Sequence, residues 1–347
     1  MRVSTKGGTA AHNSTAENLL NFRLVQRKRA LERLAEAAAG PLLIGGATVL
    51  ALDAARRIFR RMQLFCPTRT PEKSWNPEDY GIPKGATEEL WIETDDGEFL
   101  YAWYCRAENP IASALYFHGN TGNLTTTAFT IPHMLRAGIS VLYVDYRGFG
   151  RSTGSPSFNG IIEDGVAAAR VHEKLRPKNV PSLLYGFSLG GSIAAQVIRR
   201  FGFDGLLLQS TFTSLPDIAR VAYPRIPLHL FSGRLFDTLS VVKKLRIPVM
   251  IIHGGADEVC PCWMARQLHD ACASERKELL VLDGGLHKDL WMRDPDTLVR
   301  EISRFARSLP VGPHEIEAPT SALDHVIDAM FRSVRRHLRR HPAQQPL

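Results

Sequence analysis

The feature that most constrains this chain is a series of short, largely apolar segments separated by helical ones. Ala114–Phe117, Ser140–Tyr146, Ser182–Tyr185, Gly205–Gln209, Val249–His253 and Leu279–Leu282 each have the length of a strand. Helical stretches fall around Thr125–Ala137, Asn159–Leu175 and Leu189–Phe201, and a last one covers Asp294–Ser308. Continuous apolar strands, as opposed to alternating ones, are buried on both faces, and helical crossovers between them make neighbours parallel. The pattern predicts an α/β domain with helices on both sides of a parallel sheet. One hairpin precedes it: Glu88–Thr94 and Glu98–Cys105 alternate about the turn Asp95-Asp96-Gly97. No internal repeat is visible, and no run of 18 uncharged apolar residues exists, which excludes a polytopic helical membrane protein.

One of these strands runs into Gly186-Phe187-Ser188-Leu189-Gly190, a G-x-S-x-G, and Gly191–Ala195 opens a helix directly after it. Nucleophilic catalysis by serine needs a hydroxyl standing free on a sharp strand-to-helix turn, and the glycines relieve crowding there. A serine hydroxyl is a weak nucleophile without a base, and the base needs a group to orient it. With a serine on such a turn, the acid and then the histidine follow in the chain. Val249–His253 leads through Gly254-Gly255-Ala256 to Asp257, and Leu279–Leu282 leads through Asp283-Gly284-Gly285-Leu286 to His287. Each lies just past the carboxyl end of a strand, where sites of open α/β sheets form. Asp257 is expected to orient His287, and His287 to take the proton from Ser188.

The alternatives are weaker. Glu258 is expected to point elsewhere from a tight loop, Asp283 serves as the acid only if its loop folds back, and His253 reads as structural. A tetrahedral oxyanion needs preorganised N–H donors. One is expected from Leu189, after the nucleophile, and the second from the loop His118-Gly119-Asn120-Thr121-Gly122-Asn123, with Asn120 ahead of Thr121. The five cysteines are odd in number and widely spaced, giving neither a disulfide framework nor a paired CxxC zinc pattern. Cys260-Pro-Cys262 is their one close pair and reads as incidental.

Together these residues resemble the α/β-hydrolase superfamily. HGNTGN at 118–123, DYRGFGRSTGSPS at 145–157, GFSLGG at 186–191 and HGGADEVCP at 253–261 resemble, more narrowly, one subgroup of serine hydrolases. That subgroup includes membrane-anchored members and protein depalmitoylases, and the similarity spans about residues 65–308. The resemblance implies an α/β-hydrolase fold with a mostly parallel eight-stranded sheet and helices on both faces. It implies Ser188 as nucleophile, Asp257 as acid, His287 as base, and the Asn120 and Leu189 amides as oxyanion hole, with no cofactor and no metal. Asp145, Arg147 and Gly148 match a loop that is structural in such proteins, and Arg147 is expected to ion-pair within the scaffold. Between Ser214 and Leu239 the insertion is short, so any lid is minimal; Tyr223, Pro224, Ile226, Pro227, Leu228, Leu230 and Phe231 there wall an apolar acyl site or simply pack. The depalmitoylases' cysteine-rich N-terminal segment has no counterpart, since the first 65 residues contain no Cys, which argues against palmitoyl-cysteine as substrate.

Charge divides the chain into three parts. Residues 1–70 hold 12 basic and 4 acidic side chains, residues 71–310 hold 26 and 27, and residues 311–347 hold 5 and 4. The expected catalytic domain, 65–310, is therefore near neutral, without the basic stripe of a nucleic-acid enzyme. The extension 1–64 reads as helical. Its segment Ala37–Leu52 carries no charge over 16 residues and is flanked by arginines on both sides. This is a membrane anchor or interfacial helix over 37–61, or a helix packed on the domain. In the linker and helix of 311–347, Leu323, Val326, Ile327, Met330, Phe331, Val334 and Leu338 form an apolar stripe beside five arginines, so 323–340 suits a membrane surface or a docking face. The sequence thus reads as a serine hydrolase of a carboxylic ester or thioester, with a small-molecule or lipid-like acyl substrate, membrane-associated or else cytoplasmic. The competing readings are a serine peptidase and a non-catalytic scaffold of the same fold.

Overall fold

The computed structural model describes residues 64–225 and 235–312. The predicted extensions 1–63 and 313–347, and Ile226 to Arg234 in the short insertion, lie outside the described residues.

Eight strands form one sheet. In chain order they are β2 (Thr87–Glu93), β3 (Phe99–Cys105), β4 (Ala112–Phe117), β6 (Ile139–Val144), β7 (Ser182–Phe187), β8 (Gly205–Gln209), β9 (Val249–Gly254) and β10 (Lys277–Leu282). Their spatial order is β10-β9-β8-β7-β4-β6-β3-β2. All pairings are parallel except β2 with β3 and β3 with β6. This is the α/β-hydrolase fold that the sequence implied. Every residue of β4, β6, β7, β8 and β9 is buried, whereas the edge strands β2 and β10 keep partly exposed positions.

Because side chains alternate along a strand, the sheet sorts its residues into two cores. Leu115 and Phe117 of β4, Leu184 of β7, Leu206 and Leu208 of β8 and Ile251 of β9 fill one. Ala114, Tyr116, Tyr143, Tyr185, Leu207 and Met250 fill the other. Tyr116 pairs in register with Tyr143 on one side and Tyr185 on the other, with ring centroids 4.7 and 4.5 Å apart. The first core is covered by α2 (Phe158–Leu175) and α3 (Leu189–Val197). The second is covered by α1 (Ile131–Arg136) and α8 (Pro295–Arg307), and α7 (Leu290–Arg293) adds Leu290 and Trp291 to it. Three more helices, α4 (Leu215–Ala222), α5 (Thr238–Val242) and α6 (Trp263–Ala271), complete the eight among the described residues.

The helix expected over Thr125–Ala137 starts as a tighter 3-10 turn over Leu124–Thr130 and becomes α-helical only at Ile131. Asn123 caps that turn with its side chain, and three consecutive threonines, one of them bonded back to the cap amide, favour the tight form. A further feature has no counterpart in the sequence pattern. Cys66–Pro67 (β1) runs parallel to Thr121–Gly122 (β5), forming a separate two-stranded ribbon.

Candidate active site

Ser188 lies between β7 and α3 with φ 56° and ψ −119°, a conformation that non-glycine residues rarely adopt. The turn survives because its neighbours leave no room for another path. A Cβ on Gly190 would strike the carbonyl oxygens of Phe117 and His118, and one on Gly186 would strike the backbone of Gly190. The Ser188 N–H donates to Gln209 O of β8 at 2.8 Å, pinning the turn to the adjacent strand. Asp257 follows β9 by three residues, and His287 follows β10 by five.

The fold brings these three predicted residues together. Ser188 Oγ lies 3.0 Å from His287 Nε2. His287 Nδ1 lies 2.9 and 3.0 Å from the two carboxylate oxygens of Asp257. All three are buried, and the Phe187 ring packs 5.3 Å from the His287 ring. Asp257 Oδ1 also accepts the N–H groups of Val259 at 2.9 Å and Cys260 at 2.7 Å. Asp283 is exposed and outside this chain of bonds. Glu258 does not meet the imidazole; its carboxylate accepts the His287 backbone N–H at 3.1 Å and so anchors the histidine loop, a part the sequence did not suggest.

The loop after β4 lies against the serine. A Cβ on Gly119 would sit 3.7 Å from Ser188 Cβ, so Asn120 is held beside the nucleophile turn. Leu189 is the first residue of α3, and its N–H has no acceptor within the helix. The ribbon β1–β5 fastens the loop from outside. Cys66 N–H donates to Asn120 O at 2.8 Å and Thr68 N–H to Gly122 O at 2.9 Å. Asn123 Nδ2 donates to Thr68 O and to Thr70 O at 3.3 and 2.7 Å. From inside, Tyr146 OH donates to His118 O at 2.8 Å, and Asp145 Oδ1 accepts Leu124 N–H at 2.6 Å. His118 bridges these layers, with Nδ1 2.8 Å from Gly119 O and Nε2 3.3 Å from Asp145 Oδ1.

The family model Hydrolase_4, described as serine aminopeptidase, S33, matches residues 108–242 and 232–296. The chain belongs to this α/β-hydrolase family. The protein YfhR of Escherichia coli K12 is 31% identical over 257 residues, covering 68% of this chain and 88% of that one. A membrane protein of Saccharomyces cerevisiae, YNL320W, is 29% identical over 230 residues, covering 63% of this chain and 78% of its own. Among solved structures, the Pyrococcus furiosus esterase Pf2001 superposes with a TM-score of 0.61 at 18% identity, covering 71% of this chain and 98% of that one.

In this hydrolase the electrostatics of the buried carboxylate are decided by its donors. Burial pushes the Asp257 carboxyl up, but hydrogen bonds from His253 and His287, the charge of the His287 ring and the Cys260 N–H outweigh it. The net effect holds Asp257 well below the usual carboxylate range, so it is an anion wherever the protein is folded near neutrality. A carboxyl more acidic in the folded chain than in the unfolded one adds stability above the unfolded value, about pH 4, and loses it as pH falls towards the folded value. Thermal melts from about pH 7 down to about pH 3 are therefore expected to show a steeper decline for the wild type than for Asp257→Asn. Parallel curves for the two proteins would remove this account of the carboxylate.

No group of three or more His, Cys, Asp or Glu suited to a metal occurs among the described residues. Among the same residues, no helix is long and apolar enough to cross a membrane.

Proposed function

We propose that the chain is a serine hydrolase that cleaves a carboxylic ester or thioester through an acyl-enzyme. The observation that carries this reading is the unbroken bond chain from Ser188 Oγ through His287 to Asp257, at 3.0 and 2.9 Å. As Ser188 Oγ attacks the acyl carbonyl carbon, its proton passes to His287 Nε2. Asp257 holds the ring with Nδ1–H towards it and stabilises the imidazolium. The N–H groups of Asn120 and Leu189 receive the oxyanion. The imidazolium then gives its proton to the departing alkoxide or thiolate. Water, deprotonated by His287, attacks the acyl-serine and returns the free hydroxyl. No cofactor or metal enters these steps.

The substrate is a small-molecule or lipid-like acyl compound. Residues 65–310 form the catalytic domain, while 37–61 and 323–340 contact a membrane surface and make the enzyme membrane-associated. The basic, apolar-striped composition of both segments supports this, as does the name of the yeast relative. A chain lacking residues 1–64 is expected to leave the membrane fraction for the supernatant; unchanged sedimentation argues against the anchor.

The description of the family model favours a second reading, in which the scissile bond is an amide at a peptide N-terminus. One experiment separates the two. Wild-type protein is offered p-nitrophenyl esters of increasing chain length, the matching thioesters and aminoacyl p-nitroanilides, and the Ser188 peptide is then weighed by mass spectrometry. Turnover of esters or thioesters with an acyl adduct on Ser188 is expected. Turnover of anilides alone establishes the peptidase, and no turnover in folded protein points to a scaffold.

A further inference from the structure

The triad carboxylate is shared. His253 is the penultimate residue of β9, with a side chain that is fully enclosed. Its Nε2 lies 2.7 Å from Cys260 O and 3.3 Å from Asp257 Oδ2. Both neighbours are acceptors at neutral pH, so the ring proton is assigned to Nε2, with Cys260 O the nearer acceptor and Asp257 Oδ2 the second, longer one, and Nδ1 carries a lone pair. Consistent with that tautomer, Nδ1 is buried with no hydrogen-bond partner among the described residues. The oxygen facing His253, Oδ2, is the one 2.9 Å from His287 Nδ1. Two histidines, one on β9 and one in the loop after β10, therefore approach the same carboxylate oxygen.

We propose that His253 is a positioning residue, which by donating to Asp257 sets how tightly that carboxylate holds the ring of His287. The proposal rests on the reading of Ser188, His287 and Asp257 as a catalytic triad. Its physical content is competition for lone pairs. Each donor on a carboxylate draws off part of the negative charge that the next donor meets. With His253 in place, Asp257 is well solvated by protein and grips the imidazolium moderately. Without it, the same carboxylate is a stronger acceptor for His287 Nδ1–H, and the protonated ring is stabilised relative to the neutral ring that must accept from Ser188.

The other ionisable groups around Asp257 do not take over this task. Glu258, in the same loop, is committed to the His287 N–H, and the Cys260 thiol is pushed well above its ordinary range by burial and by the Asp257 and Glu258 carboxylates. Lys288, next to His287, is exposed. Alongside Ile252, the neighbour of His253, lie Gln209 of β8 and Ser210 just after it, neither of which ionises in this range.

The test compares wild type, His253→Phe, His253→Gln and Ser188→Ala on a p-nitrophenyl ester across the acid and neutral range. Phenylalanine keeps the bulk and removes the donor; glutamine keeps an N–H donor. His253→Phe is expected to move the acid limb of kcat/KM upward by about half a pH unit, through the stronger grip of Asp257 on the protonated ring, and to lower the plateau by about tenfold, because a carboxylate without that donor no longer holds the ring in one orientation, with KM unchanged. His253→Gln is expected to restore most of the rate and the position of the limb. A slower His253→Phe enzyme whose acid limb superimposes on wild type overturns the proposal, as does a glutamine variant no better than phenylalanine. Should His253→Phe fail to fold, wild-type protein labelled with ¹⁵N-histidine decides. The His253 ring is expected to show a protonated Nε2 whose resonance moves in Asp257→Asn, and an unmoved resonance overturns the proposal. Ser188→Ala serves to separate the two levels. Retained activity there removes the triad itself, whereas an inactive Ser188→Ala beside an indifferent His253→Phe removes only the role of His253.

Discussion

Ser188→Ala is expected to lower ester turnover by about 10⁴-fold or more, while leaving the melting temperature close to that of the wild type. Loss of Oγ removes the group that bonds to the acyl carbon, and nothing else at the turn bears a hydroxyl 3.0 Å from His287 Nε2. The oxyanion donors and the binding surface remain, so a residual rate above that of free water is part of the expectation. The backbone supplies a second, opposite effect. At φ 56° a side chain is strained whatever its chemistry, so alanine inherits the strain and glycine relieves it. Ser188→Gly is expected to be as inactive as Ser188→Ala yet more stable than wild type by about 1 kcal/mol. Kinetics and calorimetry on the three proteins check both halves. An alanine variant that turns over esters at the wild-type rate ends the nucleophile assignment, and a glycine variant less stable than wild type ends the strain argument.

The largest effect on stability is expected at Arg147, which bonds to none of Ser188, His287 and Asp257. Its guanidinium is nearly enclosed and donates to Asp164 Oδ1 through Nε at 2.8 Å and to Asp96 through Nη1 and Nη2 at 2.8 and 3.0 Å. Its backbone N–H donates to Asp164 Oδ2 at 2.8 Å. These bonds tie the loop after β6 to α2 and to the turn of the β2–β3 hairpin. Burial pushes the Asp164 carboxyl up to about 6, even with the opposing pull of Arg147. Arg147→Ala leaves that enclosed carboxylate without its cation, at a cost of about 3–5 kcal/mol and a fall in Tm of about 10 °C. Arg147→Met combined with Asp164→Asn removes both charges and keeps an acceptor for the backbone N–H. The double variant is expected to lose less than half as much. Equal losses in single and double variants would falsify the view that an orphaned charge is the main cost.

Much of this molecule was legible because two kinds of signal are local. β4, β6, β7, β8 and β9 are buried on both faces, and a strand so placed has to be apolar throughout; the sequence shows that directly. Ser188 was legible because a strained turn needs glycine at fixed offsets, and Asp257 and His287 because they follow strand ends in the required order. What stayed hidden depends on contacts between distant segments. The pair Cys66–Pro67 contains a proline and has no period, so nothing in it announces a strand. The anchoring bond of Glu258 stayed hidden because the backbone amide that it accepts lies 29 residues away, in a loop whose path the sequence does not specify. The main-chain contribution of Gln209 to Ser188 leaves no trace in residue identity at all.

The ribbon of β1 on β5 has a consequence for how the protein comes into being. Thr68 leaves the ribosome 55 residues ahead of Asn123, its partner, and Arg69 precedes Gly150, whose carbonyl it binds, by 81. At about 5–20 residues per second, that segment waits several seconds with its partners unmade. Of the three proposed triad residues His287 arrives last, 99 residues behind Ser188. If Ser188 and His287 act as proposed, a nascent chain carries its nucleophile long before its base, and the order of translation itself keeps the hydrolase silent until the domain is nearly whole.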